Sequence, residues 1–314
     1  MEESRRSNDS RSPQKVALVT GGSSGFGALI AAGLAGRGYR VFATSRRPQP
    51  TPAPGAAPLE WLVLDVQSDE SVAAGLEHML AAAGRLDVLV NNAGIAHASL
   101  IEETDLEQAR QVVETNFWGV VRVTQAALPV MRRQHSGHLI TIGSLAGLIP
   151  AVGQGFYSAS KFALEGYCEV LSYEVAPFGI HVSLVEPGFY KTNLAAGRLT
   201  AAHTFSDYDT LRQNIKAALK RSEVQGGDPA QVAEAVLRVA ESPHPPVHVA
   251  VGTMAQWLPR LRAWLPEACS AGGCGKTTGC RERAKGRDTR RALPAACLVF
   301  RFTCHSKNLE PDRS

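Results

Sequence analysis

Short runs of β-branched and aliphatic residues recur along this chain, and longer stretches with helical periodicity separate them. The strand-like runs are Lys15–Thr20, Tyr39–Thr44, Leu59–Leu64, Leu86–Val90, His138–Ile142, Ile180–Val185 and Val247–Val251. Between them lie amphipathic stretches at Gly25–Arg37, Asp69–Ala83, Leu106–Arg133, Tyr157–Ala176 and Pro229–Glu241. Parallel neighbours need long crossover connections, and such crossovers are right-handed. The alternation therefore predicts an α/β fold, a doubly wound and mostly parallel sheet covered by helices on both faces.

Two segments break the pattern. Arg47–Pro58 carries five prolines and reads as a surface loop, because proline removes a donor and fixes φ. Lys191–Gly227 holds a helical piece at Leu211–Lys220 but no strand, as expected of a lid over a substrate cleft. With 44% apolar residues the chain has material for a full core. We expect a polar, disordered arm at 1–14, one domain at 15–266 with its lid at about 191–227, and an irregular basic, Cys-rich and disordered tail at 267–314.

Charge and cysteine separate that tail from the body. From Ser270 onward ten Lys/Arg face four Asp/Glu, a surplus of +6 against +4 for the whole chain, so the rest is near −2. Basicity is thus no argument for a nucleic-acid surface on the main domain. Of six cysteines only Cys168 precedes Cys269, which suits a reducing, cytoplasmic setting. Neither a signal-peptide core nor an apolar run long enough to span a membrane is expected. Ser270–Thr277 nearly spells a phosphate loop, yet serine replaces its first glycine and no strand precedes it. The tail cysteines lack a C-x-x-C pair, so no metal site is expected.

The first strand ends in Thr20-Gly-Gly-Ser-Ser-Gly-Phe-Gly27, where a strand becomes a helix. Glycine lets the backbone approach a pyrophosphate, and a helix N-terminus offers free N–H groups and partial positive charge. The second strand runs into Thr44-Ser45-Arg46-Arg47, with arginine where a ribose-binding acid would specify NAD. This favours NADP(H) over NAD(H), with Arg46 preferred to Arg47 as the 2′-phosphate ligand. Farther on, Tyr157 and Lys161 share a helix face at i, i+4. A nearby ammonium favours a phenolate, which makes Tyr157 a candidate general acid/base. Ser144 ends a strand thirteen residues earlier, placed to bind the same substrate oxygen.

The T-G-x-x-x-G-x-G spacing, together with Asn91-Asn-Ala-Gly94, Asn116 in Thr115–Gly119, Ser144, Tyr157-x-x-x-Lys161 and Pro187-Gly188-x-x-x-Thr192, resembles the non-extended, single-domain branch of the short-chain dehydrogenase/reductase family. The resemblance covers roughly Val16 to Trp264 and implies a Rossmann-like domain. It implies a catalytic tetrad of Asn116, Ser144, Tyr157 and Lys161. In that tetrad Ser144 binds the substrate oxygen, Lys161 lowers the Tyr157 pKa and holds ribose, and Asn116 anchors water in a proton relay. It also implies cofactor binding by Thr20, Gly21, Ser23, Ser24, Gly25, Phe26, Gly27, Arg46, Asp65, Val66, Asn92, Ala93, Gly94, Pro187, Gly188 and Thr192, besides Tyr157 and Lys161.

The runs Phe156–Gly166 and Val185–Thr192 look most like hydroxysteroid- or retinol-dehydrogenase-like members. The expected activity is hydride transfer between a nicotinamide and a secondary alcohol or ketone. An apolar substrate (steroid-, retinoid- or lipid-like) follows from Val152, Phe156, Phe189, Tyr190, Leu194 and Phe205 around the lid. A homodimer or homotetramer through the long helices is expected of such a protein. The competing reading is a non-enzymatic NADP-binding regulator of the same fold.

Overall fold

The computed structural model describes residues 13–49, 59–191 and 197–257. Seven strands form one sheet in the order β3-β2-β1-β4-β5-β6-β7, and every neighbouring pair is parallel. They are β1 (Val16–Val19), β2 (Arg40–Ser45), β3 (Leu59–Val63), β4 (Val88–Asn91), β5 (Gly137–Ile142), β6 (Ile180–Pro187) and β7 (His248–Val251). The helices are α1 (Gly25–Gly36), α2 (Asp69–Ala83), α3 (Leu106–Val113), α4 (Gly119–Gln134), α5 (Gly155–Val175), α6 (Asp209–Gln225) and α7 (Ala230–Glu241).

Strand periodicity of two builds both cores at once. In β1, Val16 and Leu18 join one apolar cluster while Ala17 and Val19 join the other. The first cluster packs α2, α4 and α5 through Val72, Met79, Val123, Met131 and Leu164. Against the opposite face lie α1 and α7, through Ile30, Leu34, Val232 and Val236. Because β1 has β2 on one side and β4 on the other, the winding reverses there. A crevice opens beyond the carboxyl ends of these strands.

Two departures from the expected pattern matter for the site. The single helix expected over Leu106–Arg133 is interrupted by a π-helical turn at Glu114–Trp118, between α3 and α4. Such a turn inserts a residue and redirects the side chains around it. The lid region contains α6, longer than its expected core, after a 3₁₀ turn at Ser206–Tyr208. Only Ile215 of α6 is buried, and the ion pair of Arg212 with Glu103 holds the helix to the body, while Arg212 also pairs with Asp209 within the helix. The expected proline-rich loop falls largely outside the described residues, as do the arm before residue 13 and the tail after residue 257. No described helix is long and apolar enough to cross a membrane.

Candidate active site

The glycine turn is shaped by main-chain crowding. Gly21 and Gly25 have φ of +63° and +55°, a region costly for residues with a Cβ. A Cβ on Gly27 would stand 2.3 Å from Gly21 O and 2.5 Å from Asn92 Nδ2, so α1 could not start this close to β1 with any other residue. Gly22 N donates to Thr44 O at 2.8 Å, which ties the turn to the end of β2. Asn92 Nδ2 donates to Thr20 O at 2.9 Å and Gly21 O at 3.1 Å, tying it to β4 as well. Ser24, the residue before α1, makes no side-chain capping bond, so the first N–H groups of the helix keep their capacity for an anion.

A cavity of about 930 Å³ runs from this turn to the lid. Gly21, Ser23, Ser24, Gly25 and Phe26 line one end, with Arg46, Asp65 and Val66 beside them. Asn92, Ala93 and Gly94 line its middle, and Asn116, Ser144, Tyr157 and Lys161 meet there, with Pro187 and Gly188 opposite. Two expected cofactor residues do not line it. Thr20 is 1% exposed, and its Oγ1 accepts from Asn92 N at 3.0 Å and Ala93 N at 3.1 Å, so its work is joining β1 to β4. Gly27 is spent on the close packing just described. Thr192 lies outside the described residues.

Arg46 and Arg47 follow β2 and both line the cavity. Most arginines of the body are paired: Arg37 with Glu234 and Glu241, Arg40 with Glu60, Arg122 with Asp69 and Glu114. Neither Arg46 nor Arg47 has a carboxylate partner among the described residues. Ser45 Oγ accepts from Arg47 N at 3.3 Å and from Gln49 Nε2 at 3.1 Å, which shapes the turn around them.

At the reacting centre, Ser144 opens a 3₁₀ turn after β5, with its Oγ accepting from Ala146 N at 3.1 Å. Tyr157 and Lys161 lie on one face of α5, with Lys161 Nζ 5.9 Å from the Tyr157 ring centre. Lys161 Nζ donates to Ile142 O at 2.8 Å. Burial pushes the Lys161 ammonium down to about 8, opposed by Cys168 and Glu165. For Tyr157, burial raises the phenol above its ordinary value, and the hydrogen bond with Ser144 works against that rise. Desolvation of the phenol is the largest influence and the serine is the group that opposes it.

Asn116 occupies the π-helical turn and is 1% exposed. Its Oδ1 accepts from Ile95 N at 2.8 Å, and its Nδ2 donates to Ile95 O at 3.0 Å and Ser160 Oγ at 3.2 Å. Both amide protons are thus used on protein, and the side chain fixes the loop after Gly94 against α5. The π turn presents it there, a feature that apolar periodicity does not encode.

The far end of the cavity was read less well from sequence. Phe189 and Tyr190 line it, as expected, and Tyr190 packs edge-on against Phe26 at 5.9 Å. Val152 and Phe205 are 55% and 48% exposed and do not line it, while Phe156 packs against the buried ring of His97. Leu194 lies outside the described residues. In their place stand Leu145, Ile149, Ala151 and Leu219, with the ion pair Arg198–Glu223 at 2.5 Å. These residues come from segments distant in sequence, and no local signal marks them.

The model of the short chain dehydrogenase family matches residues 15–202. Among curated proteins the chain is 37% identical to a 3-ketodihydrosphingosine reductase of Bacteroides thetaiotaomicron, over 81% of this chain and 94% of that protein. It is 36% identical to retinol dehydrogenase 8 of Bos taurus, over 80% of this chain and 86% of that protein. A short-chain dehydrogenase from Streptomyces avermitilis superposes with a TM-score of 0.71 at 33% identity, covering 88% of this chain and all of that one. Two other solved structures hold different dinucleotides. One, from Burkholderia phymatum, is in complex with NAD (TM-score 0.69, 25% identity, 80% of this chain and 93% of that one). The other, ElxO, has NADP bound (TM-score 0.66, 26% identity, 78% and 99%).

The chain belongs to the short-chain dehydrogenase family, and its relatives include retinol and hydroxysteroid dehydrogenases. It is a nicotinamide-dependent oxidoreductase acting on CH–OH groups, which sets aside the non-enzymatic alternative.

Proposed function

We propose that this enzyme uses NADP(H) in preference to NAD(H) and interconverts an apolar ketone with its secondary alcohol, with Tyr157 as the proton donor and acceptor. The observation that carries the cofactor choice is the pair Arg46 and Arg47, which line the cavity beyond β2 and have no carboxylate partner among the described residues. Guanidinium groups placed this way suit a 2′-phosphate, and no acid stands at the end of β2 to bind a ribose diol.

The glycine cradle, too close for any Cβ at Gly27, fits a pyrophosphate at the N-terminus of α1. Gly21, Ser23, Ser24, Gly25 and Phe26 would hold it there. Asp65, Val66, Asn92, Ala93, Gly94, Pro187, Gly188 and Thr192 would line the rest of the dinucleotide. When bound, the nicotinamide supplies or takes the hydride.

The protein's own part is binding, orientation and the proton. Ser144 binds the substrate oxygen, and its bond to Tyr157 sets the phenol beside that oxygen. Burial keeps the phenol protonated at neutral pH, the form that donates to a ketone oxygen. Lys161, anchored on Ile142 O, offers its ammonium to the ribose and to charge forming on Tyr157. Asn116 holds the loop that brings Ile95 to the cavity, and a water relay would run along this wall.

The apolar character of the substrate rests on Leu145, Ile149, Ala151 and Leu219 at the far end. The 3-ketodihydrosphingosine and retinol in the relatives' names agree with it. Pairing of two or four copies belongs to the same reading, supported by exposed Phe162, Val170 and Tyr173 on α5 and Trp118 beside α4. So does a cytoplasmic location, supported by the free thiol of Cys168 in the body.

The test is a panel of ketones, from short polar ones to long-chain and polycyclic ones, reduced with NADPH and with NADH. The proposal expects kcat/KM to rise with apolar size and to be higher with NADPH. A higher value with NADH, or turnover confined to small polar ketones, would overturn it.

A further inference from the structure

Among the described residues, the side-chain amides that line the cavity are those of Gln49, Gln67, Asn92, Asn116 and Gln154. All but the last have committed their donors to the protein. Gln49 Nε2 donates to Ser45 Oγ at 3.1 Å, Gln67 Nε2 to Thr115 Oγ1 at 2.6 Å, Asn92 Nδ2 to Thr20 O and Asn116 Nδ2 to Ile95 O. The Gln154 amide has no partner among the described residues. It stands immediately before α5, where a side chain can cap a helix, and makes no capping bond there. Capping is a task for Ser, Thr, Asp, Asn or Gly rather than glutamine.

The main chain of Gln154, by contrast, is held firmly. Its N donates to Ala151 O at 3.0 Å, and its O accepts from Ser158 N at 2.8 Å. Ser158 Oγ accepts from Ala151 N at 3.3 Å and closes the turn before α5. Gln154 also pairs with Ser99 in an isolated parallel bridge, which joins it to the loop after β4. Gly153, at a φ of +77°, lets α6 come down on this turn: a Cβ there would stand 2.8 Å from Ile215 Cγ2. A Cβ on Gly155 would stand 2.7 Å from Ile101 Cγ1. A side chain with its amide uncommitted therefore leaves a tight junction of α5, α6 and the loop after β4, and borders the cavity.

Gln154 precedes Tyr157 by three residues and Tyr157 precedes Lys161 by four, so the three follow one stripe of α5, with neighbouring Cβ atoms about 5–6 Å apart. A polar group held by Gln154 thus lies near the oxygen that Tyr157 meets. The cations at this end have other work: Arg198 is paired with Glu223, and Lys161 is anchored on Ile142 O. A neutral group suits such surroundings better than a carboxylate. An amide both donates and accepts, which matches a hydroxyl. The wall around it is otherwise apolar, formed by Leu145, Ile149, Ala151 and Leu219. We propose that Gln154 is a specificity-determining residue, whose amide binds a hydroxyl on the α- or β-carbon of the ketone, so that the preferred substrate is an apolar hydroxyketone. The proposal rests on Tyr157 acting on the ketone oxygen as described above.

The test uses three ketones of one chain length, a plain octanone and its α-hydroxy and β-hydroxy counterparts, reduced with NADPH by wild type, Gln154→Met and Gln154→Asn. In wild type, kcat/KM for a hydroxyketone exceeds that for the plain ketone by about fivefold to tenfold, read in KM rather than kcat. Gln154→Met keeps the length and removes the amide, and the ratio falls to about one. Gln154→Asn draws the amide back by one carbon and cuts the ratio by about threefold; this variant keeps the test open if Gln154→Met folds poorly. Binding is read separately by calorimetric titration of the three ketones into the enzyme, where the hydroxyketone loses the same factor in the variants. Equal kcat/KM for all three ketones in wild type, or a preference that survives in Gln154→Met, would overturn the proposal. If Tyr157→Phe kept wild-type ketone reduction, the functional reading would fail, whereas the titration would still decide whether Gln154 holds the hydroxyl.

Discussion

At its glycine-turn end the cavity is walled by consecutive residues of the turn after β1 and the start of α1, a turn tied to β2 by a backbone bond and to the end of β4 by the Asn92 side chain. At its far end it is walled by side chains from separate segments: the turn after Ser144, the residues after β6, Arg198, and α6. The first kind of wall depends on close approach, with a Cβ excluded at Gly27 and positive φ at Gly21 and Gly25. The second depends on which side chains a lid presents, and α6 buries only Ile215 in the body. On the reading proposed above, one end therefore fixes the cofactor class, while the other can change its ligand without disturbing the sheet.

Substitutions at the two ends should separate accordingly. The largest effect is expected of Gly27→Ala, whose methyl must displace Gly21 O or Asn92. It should lose about 3 kcal/mol of stability in denaturant unfolding and weaken NADPH binding by about a hundredfold. A variant with unchanged melting and affinity would show that the cradle has more room than its geometry implies.

A smaller and more selective effect is expected of Arg46→Ser. Loss of a charge-assisted contact at an exposed site should weaken NADPH about tenfold and leave NADH unchanged, as read by fluorescence titration. Equal weakening of both cofactors would place Arg46 outside 2′-phosphate recognition. Smallest is Leu219→Ala at the far end, expected to raise KM for an apolar ketone by about threefold to fivefold without altering NADPH affinity. A change in cofactor affinity there would dissolve the distinction between the two ends.

The same contrast explains what was legible in the sequence. Strand positions, most helix positions and the glycine turn came from local periodicity and from residues adjacent in the chain, and the mostly parallel sheet with helices on both faces followed. The π turn at Glu114–Trp118 did not, because Asn116 is held there by bonds to Ile95, twenty-one residues away. Aromatic residues assigned to the lid pocket were partly misplaced for a similar reason. The side of α6 that faces the cavity is set by Arg212–Glu103 and Arg198–Glu223, pairs that composition cannot foresee. Thr20 and Gly27 were recognised by position, and the structure shows Thr20 joining β1 to β4 and Gly27 in the close packing of the turn, contacts that a motif does not spell out.

The account stands most directly on the Tyr157 hydroxyl as the proton donor in a site whose cofactor is held by other residues. Tyr157→Phe removes that oxygen alone, so the measurement is ketone reduction by this variant alongside its NADPH affinity. The account predicts a kcat lower by about 10³-fold with NADPH binding within about threefold of wild type. A variant that reduces ketone at a rate near that of the wild type would contradict it.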